Sequence, residues 1–469
     1  MRPSPVAGEA GPPMLLGRRL RRVFRAQTRE VSWNQAPRSL LTLIAVGAVL
    51  LAACGGGTTT TGDATDAASE PGGGAVATSE ETGDGGGDTG GETVTIGSIH
   101  PLTGALALDG TQMDDAIKMA VEDLNSAGDL PVTLEVASAD TQGEPELGQS
   151  EAQRLIDDGA VALVGAFQSA VTTNIATVAA RQQVPLVIDV AVADAILSES
   201  NQFVYRIQPN ATAMGEYGAQ YLVDVAEASG EQVTTVGYLH EQTDFGTSVF
   251  DAFSAKAEEL GIEIVESISY DAFGQSDFTT EVQQIAAAEP DVMVVTGYYN
   301  DGVAIAQNAA DVQPGIKAVY GVANGAFDLP QFPDDAGEAA PFYLDSNYHF
   351  DATNERVNDI RSRFEEQYGD AMRTSAVLAS QAVEVIAAAI GEVEDPSDPV
   401  ALNEAIRAVE VSDPLLTFPG PIAFDEVGEN SNARPVVMQV QDNEIRQVYP
   451  AEFSEAEPVF PAVPWSPPE

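Results

Sequence analysis

Beyond residue 92 the chain alternates short apolar runs with stretches in which apolar residues recur every three or four positions. The runs "TVTIGSI", "VTLEVASAD", "AVALVGA" and "PLVIDVA" form one series, and "VTTVGYL", "IEIVESISY", "DVMVVTGYY" and "KAVYGVA" form a second. Starts near 132, 160 and 185 in the first are matched by starts near 262, 291 and 317 in the second, which predicts one architecture built twice. Between runs, Met113, Ala116, Ile117, Ala120, Val121 and Leu124 share one face of a helix that Gly128 stops. Strands that are apolar throughout and joined by helices belong to parallel sheets covered on both faces. The expected fold is therefore α/β, with two doubly wound parallel-sheet lobes joined by hinge strands.

"FVYRIQPN", Phe203 to Asn210, links the two series, and "APFYLDSNYHF", Ala340 to Phe350, reads as a second crossing. Helical stretches follow at Asn354 to Tyr368, Ser375 to Ile390 and Leu402 to Val409. After "PIAFDEVG" comes a hairpin, "RPVVMQVQDNEIRQVYP", with Asp442 and Asn443 at its turn. This assigns residues 93–211 and 346–428 to lobe 1 and 212–345 and 429–455 to lobe 2. The proline-rich tail 456–469 is expected to lie outside the core. A length of 469 residues suits two lobes, since one core rarely grows that large.

The first 92 residues have a different character. Arg18, Arg19, Arg21, Arg22, Arg25, Arg29 and Arg38 precede a 12-residue apolar run, Leu40 to Leu51, and small residues then lead to Cys54. This is the pattern of a secretory signal, residues 1–53, with Met14 as an alternative start. The run falls short of the roughly 20 residues that span a bilayer. "RRLRR" lies too far from it to favour twin-arginine export over the general route. "LAAC" resembles the bacterial lipobox, and that resemblance implies that Cys54 is diacylated and becomes the first mature residue. Residues 54–92 are Gly, Thr, Asp, Ser and Glu with little to bury, a flexible tether of about 35 Å root-mean-square reach.

The formal charge is −51, and only three lysines, Lys118, Lys256 and Lys317, are present. A field of that sign repels nucleic acid and anionic lipid surfaces. Cys54 is the single cysteine, so no disulfide supports the body.

Open parallel sheets bind ligands beyond the carboxyl ends of their strands. Six loops qualify: "HPLTGALALDG", "AFQSAVTTN", "VAVADA", "HEQTDFGTS", "YYNDG" and "VANGAF". In "GAFQSAVTTN" a helix starting at Ser169 offers free amides and a hydroxyl at a positive dipole end, suited to a carboxylate unless Ser169 simply caps its own helix. His100 and His240 end the first strand of each series and could face the cleft from opposite sides. No two histidines have the spacing of a helical metal-ligand pair, so no metal is expected. G-x-S-x-G, H-E-x-x-H and phosphate-loop motifs are absent, and the chain reads as a binding protein with no cofactor instead of an enzyme.

Five phrases carry a family resemblance: "IGSIHPLTGALALDGTQMDDAIKMAVEDLN", "LVGAFQSAVTTNIATVAARQQVPLVI", "DFGTSVFDAF", "DFTTEVQQIAAAEPDVMVVTGYYND" and "GPIAFDEVGE". With them the body resembles the type I periplasmic binding proteins, most closely the branched-chain amino acid branch. The resemblance implies a Venus-flytrap that closes on a small solute and delivers it to an ABC permease with its ATPase subunits, held at the membrane by a lipid anchor and touching no nucleic acid. A lipoprotein that senses a ligand for a membrane receptor would share the same pattern. By position, Gln168 and Ser169 fall where the family holds the α-carboxylate, and Ala191 and Ala193 fall in the loop that supplies a carbonyl and usually a hydroxyl. Phe245 stands in place of a Tyr, and Tyr298 matches an aromatic of the second lobe. Ala323 replaces the acid that pairs with the α-ammonium, and Asp109 replaces an aromatic. Either the acid has moved, with Asp109, Asp194 and Asp301 as candidates, or the ligand lacks the ammonium, as amides, urea-like solutes and organic or aromatic acids do.

Overall fold

The computed structural model describes residues 92–197 and 201–467. The expected signal segment 1–53, the expected lipidation site Cys54 and the expected tether, up to residue 91, lie outside the described residues.

The first sheet contains β1 (Thr93–His100), β2 (Thr133–Asp140), β3 (Ala160–Gly165), β4 (Leu186–Ile188) and β5 (Val204–Arg206), all parallel, in the order β2-β1-β3-β4-β5. The crossovers are α1 (Ala107–Ala127), α2 (Pro145–Asp157) and α3 (Ser169–Gln182). The chain then passes into α4 (Ala211–Ala228), whose N-cap Asn210 accepts from the Ala213 amide at 2.9 Å. A second unit follows: β6 (Thr235–Glu241), α5 (Asp244–Leu260), β7 (Glu263–Tyr270), α6 (Thr279–Ala287), β8 (Val292–Gly297), α7 (Tyr299–Val312), β9 (Ala318–Asn324), α8 (Phe332–Ala336) and β10 (Leu344–Asn347).

After β10 the chain supplies α9 (Glu355–Tyr368), α10 (Thr374–Ile390), α11 (Pro399–Ala408) and the short pair β11 (Glu410–Val411) and β12 (Ile422–Ala423). It then returns as β13 (Val436–Gln441) and β14 (Glu444–Tyr449), which close the second sheet in the order β14-β13-β10-β9-β8-β6-β7. The hairpin runs antiparallel to β10, so this sheet is mixed at one edge. Asp442 and Asn443 both adopt positive φ, 52° and 64°, the backbone a two-residue hairpin turn with right-handed strand twist requires.

Each sheet carries apolar packing on both faces. In the first lobe Met113 and Ile117 of α1 meet Ile96, Val164 and the almost wholly buried α10, while Val171 and Ile175 of α3 pack with Ile99 and Leu163 on the opposite face. Val236, Val292 and Tyr320 belong to one layer of the second lobe, and Leu239, Met293 and Val295 to the other. Helix α1 ends at Gly128 in the left-handed region, as its spacing predicts. No helix among the described residues is long and apolar enough to cross a membrane.

The tail departs from expectation. Phe460, Ala462 and Val463 are buried, the Ala462 amide donates to the Lys317 carbonyl at 2.9 Å, and Trp465 Nε1 donates to the Pro314 carbonyl at 3.0 Å. Prolines exclude a ladder strand because they lack the donor. They do not prevent the apolar residues between them from covering a sheet, and that is what residues 459–465 do on the second lobe.

Candidate functional site

The site grows from the end of β3. Gly165 turns the strand with φ at +144°, and a Cβ there would lie 2.3 Å from the Ile99 carbonyl oxygen, so only glycine passes. Four residues later α3 begins at Ser169, as expected. Its N-cap residue Gln168 is extended, and no side chain caps the helix. The first amides of a helix have no partner within it, so this start presents donors at a positive dipole end. Ser169 is buried, and its Oγ accepts from the Ala193 amide at 3.2 Å; it steadies the neighbouring loop and does not cap α3. The Gln168 side chain turns away, its Nε2 3.4 Å from the Gly143 carbonyl, into a hollow at the rim beside Pro101 and Phe273.

A cavity opens beside this helix start, with about 40 Å³ available to the centres of water-sized groups. Lobe 1 lines it with Phe167, Ser169 and residues 190–192, and lobe 2 with Phe245, Gly297, Tyr298, Ala323 and Gly325. Asn347 and Tyr348, at the crossing after β10, form the back. The Tyr298 ring is the centre of the aromatic wall, 5.3 Å from Phe245, 5.2 Å from Phe273 and 6.1 Å from Phe167 of the opposite lobe. Burial, with Glu241 and Asp301 nearby, holds its phenol well above the ordinary range, so Tyr298 stays neutral. Ala323 adopts φ of +52°, an uncommon conformation for a residue with a Cβ and one that clusters at functional sites.

Of the residues expected from sequence, Ser169, Ala191, Phe245, Tyr298 and Ala323 line this one cavity, and Gln168 lies at the helix start beside it. Two do not. Asp109 is buried on α1, where its carboxylate pairs with Arg373 Nη1 at 2.9 Å and accepts from Ser375 Oγ at 3.4 Å. Ala193 packs its methyl into the lobe 1 core, and its carbonyl accepts from Arg206 Nη1 and Nη2 at 3.2 and 3.1 Å. The other candidate acids are equally engaged. Asp194 receives the Thr212 amide and hydroxyl at 3.3 and 2.8 Å at the start of α4. Asp301 receives the Tyr298 amide at 3.0 Å and the Tyr270 hydroxyl at 2.7 Å, and burial pushes its carboxyl up to about 7.

Neither histidine reaches the cavity. His100 is fully buried between Ser98, 3.1 Å from its Nδ1, and Asp189, 2.8 Å from its Nε2. His240 stacks on Phe250 at 4.5 Å, and burial lowers its basicity. Sequence reading missed Tyr348 and Asn347. The cue was a polar-aromatic pair, "NY", ending a hinge strand. It also missed the lobe-to-lobe contacts: Gln331 Nε2 of lobe 2 donates to the Ala371 carbonyl of lobe 1 at 3.0 Å, and Arg373 lies 4.3 Å over the Tyr299 ring. The two walls are therefore in contact around a small, mostly apolar chamber.

Comparison with known proteins finds relatives in sequence and in fold. A protein from Brucella abortus (strain 2308) described as "Leu/Ile/Val-binding protein homolog 7" is 26% identical over 370 residues, 76% of this chain and 91% of its own length. The branched-chain amino acid transporter substrate binding protein LivJ from Streptococcus pneumoniae, solved with isoleucine, shares the fold at a TM-score of 0.65 and 20% identity, over 79% of this chain and 100% of that one. A solute binding protein of an ABC transporter from Rhodopseudomonas palustris BisB5, solved with 3,4-dihydroxy benzoic acid, matches at a TM-score of 0.65 and 21% identity, over 78% and 98% of the two chains. The periplasmic binding protein family model matches residues 93–444, and on that span, together with the doubly wound lobes that enclose one chamber, the chain belongs to the periplasmic binding protein family.

Proposed function

We propose that this chain is an extracytoplasmic solute-binding lipoprotein, anchored through Cys54, that captures an amino acid or a related small amphipathic solute and delivers it to an ABC permease with its ATPase subunits. The observation that carries the reading is the pairing of an uncapped helix start at Ser169 with an aromatic wall at Phe245 and Tyr298 across one chamber. Donors on one lobe suit an oxygen-bearing end, and the rings on the other suit an apolar body. Residues Gln168, Ser169, Ala191, Phe245, Tyr298 and Ala323 are the contacts assigned to the solute. Closure of the lobes on that solute is the signal that the permease reads.

A specific observation keeps organic acids beside amino acids as ligands: the corner next to Ser169 contains no acid for an ammonium. Isothermal titration of the purified protein with amino acids, amides and organic acids tests the proposal. Saturable binding of at least one class, weakened by Ser169→Pro, is expected. A protein that binds none of them while remaining folded is not a receptor of this kind.

A further inference from the structure

We infer that the chamber selects a small carboxylate without an α-ammonium group, and that Arg206 is the residue that enforces this choice. The inference rests on the reading of the chamber as the solute site with the carboxylate at the start of α3. In an α-amino acid the ammonium is carried by the carbon next to the carboxylate. Once the carboxylate lies at Ser169, the ammonium must find its acceptors in the same corner.

The nearest acceptors are the backbone carbonyls of the 191–193 loop, and the two that Arg206 reaches are filled. The Ala191 carbonyl accepts from Arg206 Nη1 at 3.1 Å and from Gln208 Nε2 at 2.9 Å, which uses both of its lone pairs. The Ala193 carbonyl accepts from both terminal nitrogens of Arg206. The Ala166 carbonyl accepts from the Ala191 amide at 3.3 Å, Thr172 Oγ1 giving its one proton to the Gln168 carbonyl at 2.8 Å, and the Val192 carbonyl accepts from the Ala211 amide at 2.8 Å. On the far wall Gly325 donates to Gly297 and Asn347 to Asn324.

No aspartate or glutamate among the described residues lines the chamber. Of the buried aspartates around the Tyr348 hydroxyl, Asp109 pairs with Arg373 and Asp189 with His100 at 2.8 Å, while Asp328, 3.5 Å from His349 Nδ1, and Asp345 lie against each other; none of the four lines the chamber. An ammonium at Ser169 would therefore be desolvated with no carboxylate to pair with and the nearest carbonyls filled, at a cost of several kcal/mol.

Arg206 adds a field of its own. Its guanidinium is fully buried against the Ala191 and Ala193 carbonyls through Nη1 and Nη2, and its counter-ion Glu429, at the return crossing, is 3.1 Å from Nε. Positive charge against the loop favours a carboxylate and opposes an ammonium beside it. Four rings, Phe167, Phe245, Tyr298 and Tyr348, with small residues between them, suit an apolar or aromatic body. The class is the deaminated counterpart of an apolar amino acid.

Calorimetric titration of the purified protein with matched pairs tests this: leucine against isocaproate, valine against isovalerate, and phenylalanine against hydrocinnamate. In each pair that binds, the acid is expected to bind about 100-fold or more tightly than the amino acid. An amino acid that binds more tightly than its partner overturns the inference and leaves the solute-binding reading standing. Binding of neither member in any pair by the folded protein overturns the inference, and if the broader solute panel also fails, the receptor reading falls with it. The paired substitution Arg206→Met with Glu429→Gln, or the milder Gln208→Leu, frees carbonyl acceptors and is expected to narrow the ratio to about 10-fold. An unchanged ratio in variants with native circular dichroism removes Arg206 from the choice.

Discussion

Helix starts from both lobes lie beside the chamber, and they are finished differently. In lobe 2 the start of α5 is closed by Glu241, whose carboxylate takes the Thr243 amide at 2.8 Å, the Thr243 hydroxyl at 2.6 Å and the Gly246 amide at 2.5 Å. The start of α7 is closed by Asp301. In lobe 1 the start of α3 has no side-chain cap. A protein rarely leaves buried donors unmatched. The contrast teaches which lobe keeps hydrogen-bonding capacity for a ligand and which has spent it on its own fold.

The largest effect expected from breaking this contrast is electrostatic. Asp301 ionises at about 7 in the fold and near 4 in the unfolded chain, so the folded state holds an extra proton between those values. Stability from this group is highest below pH ~4, falls as pH rises to ~7, and is level above; a shift of about 3 pH units sets a ceiling of ~4 kcal/mol. Asp301→Asn is expected to flatten that slope in denaturant titrations at pH 5 and pH 8. A slope the same as the parent's would mean that the α7 start is not closed by a titrating carboxyl.

Next comes Ser169→Pro. Proline is tolerated at the first position of a helix, and the extended Gln168 before it suits a pre-proline residue, so α3 survives while one amide donor and the hydroxyl are lost. Ligand affinity is expected to fall by ~30–100-fold, about 2–3 kcal/mol, with a much smaller loss in melting temperature than in affinity. Equal affinity would show that the open helix start is not used.

In lobe 2 the reverse is expected. Glu241→Gln should cost about 1–2 kcal/mol of stability and change affinity less than about 3-fold, because that cap serves the fold alone. Calorimetry and thermal melts on one preparation separate the two. The smallest effect belongs to the contact between lobes: Gln331→Ala removes the bond to the Ala371 carbonyl and is expected to weaken ligand binding by about 3-fold without altering the melting temperature of the ligand-free protein by more than a few degrees.

Much of the architecture was legible because its signals are local. Apolar runs marked β1, β3, β6 and β8, a glycine marked the end of α1, and Asp442–Asn443 marked a turn whose backbone those residues tolerate. The start of α3 at Ser169 was legible for the same reason, since the change from apolar strand to small polar residues happens within a few positions. The state of the acceptors was not. Every residue has a carbonyl, and whether the one at Ala191 is free depends on Arg206 and Gln208, which reach it from another strand and the following loop. Asp109 looked available in sequence because its partner Arg373 lies 264 positions away. The tail looked detached because proline speaks about hydrogen bonding and not about burial.

Arg206 also bears on motion. Its amide donates to the Gly428 carbonyl at 2.9 Å, its carbonyl accepts from the Asn430 amide at 3.0 Å, and its side chain pairs with Glu429, so the outgoing and returning crossings are riveted side by side. On the proposed flytrap reading, two strands fastened this way would bend together as the chamber opens. The same guanidinium that occupies the loop carbonyls would thus stiffen that hinge. A substitution made to alter which solute fits would also change how far, and how fast, the jaws swing.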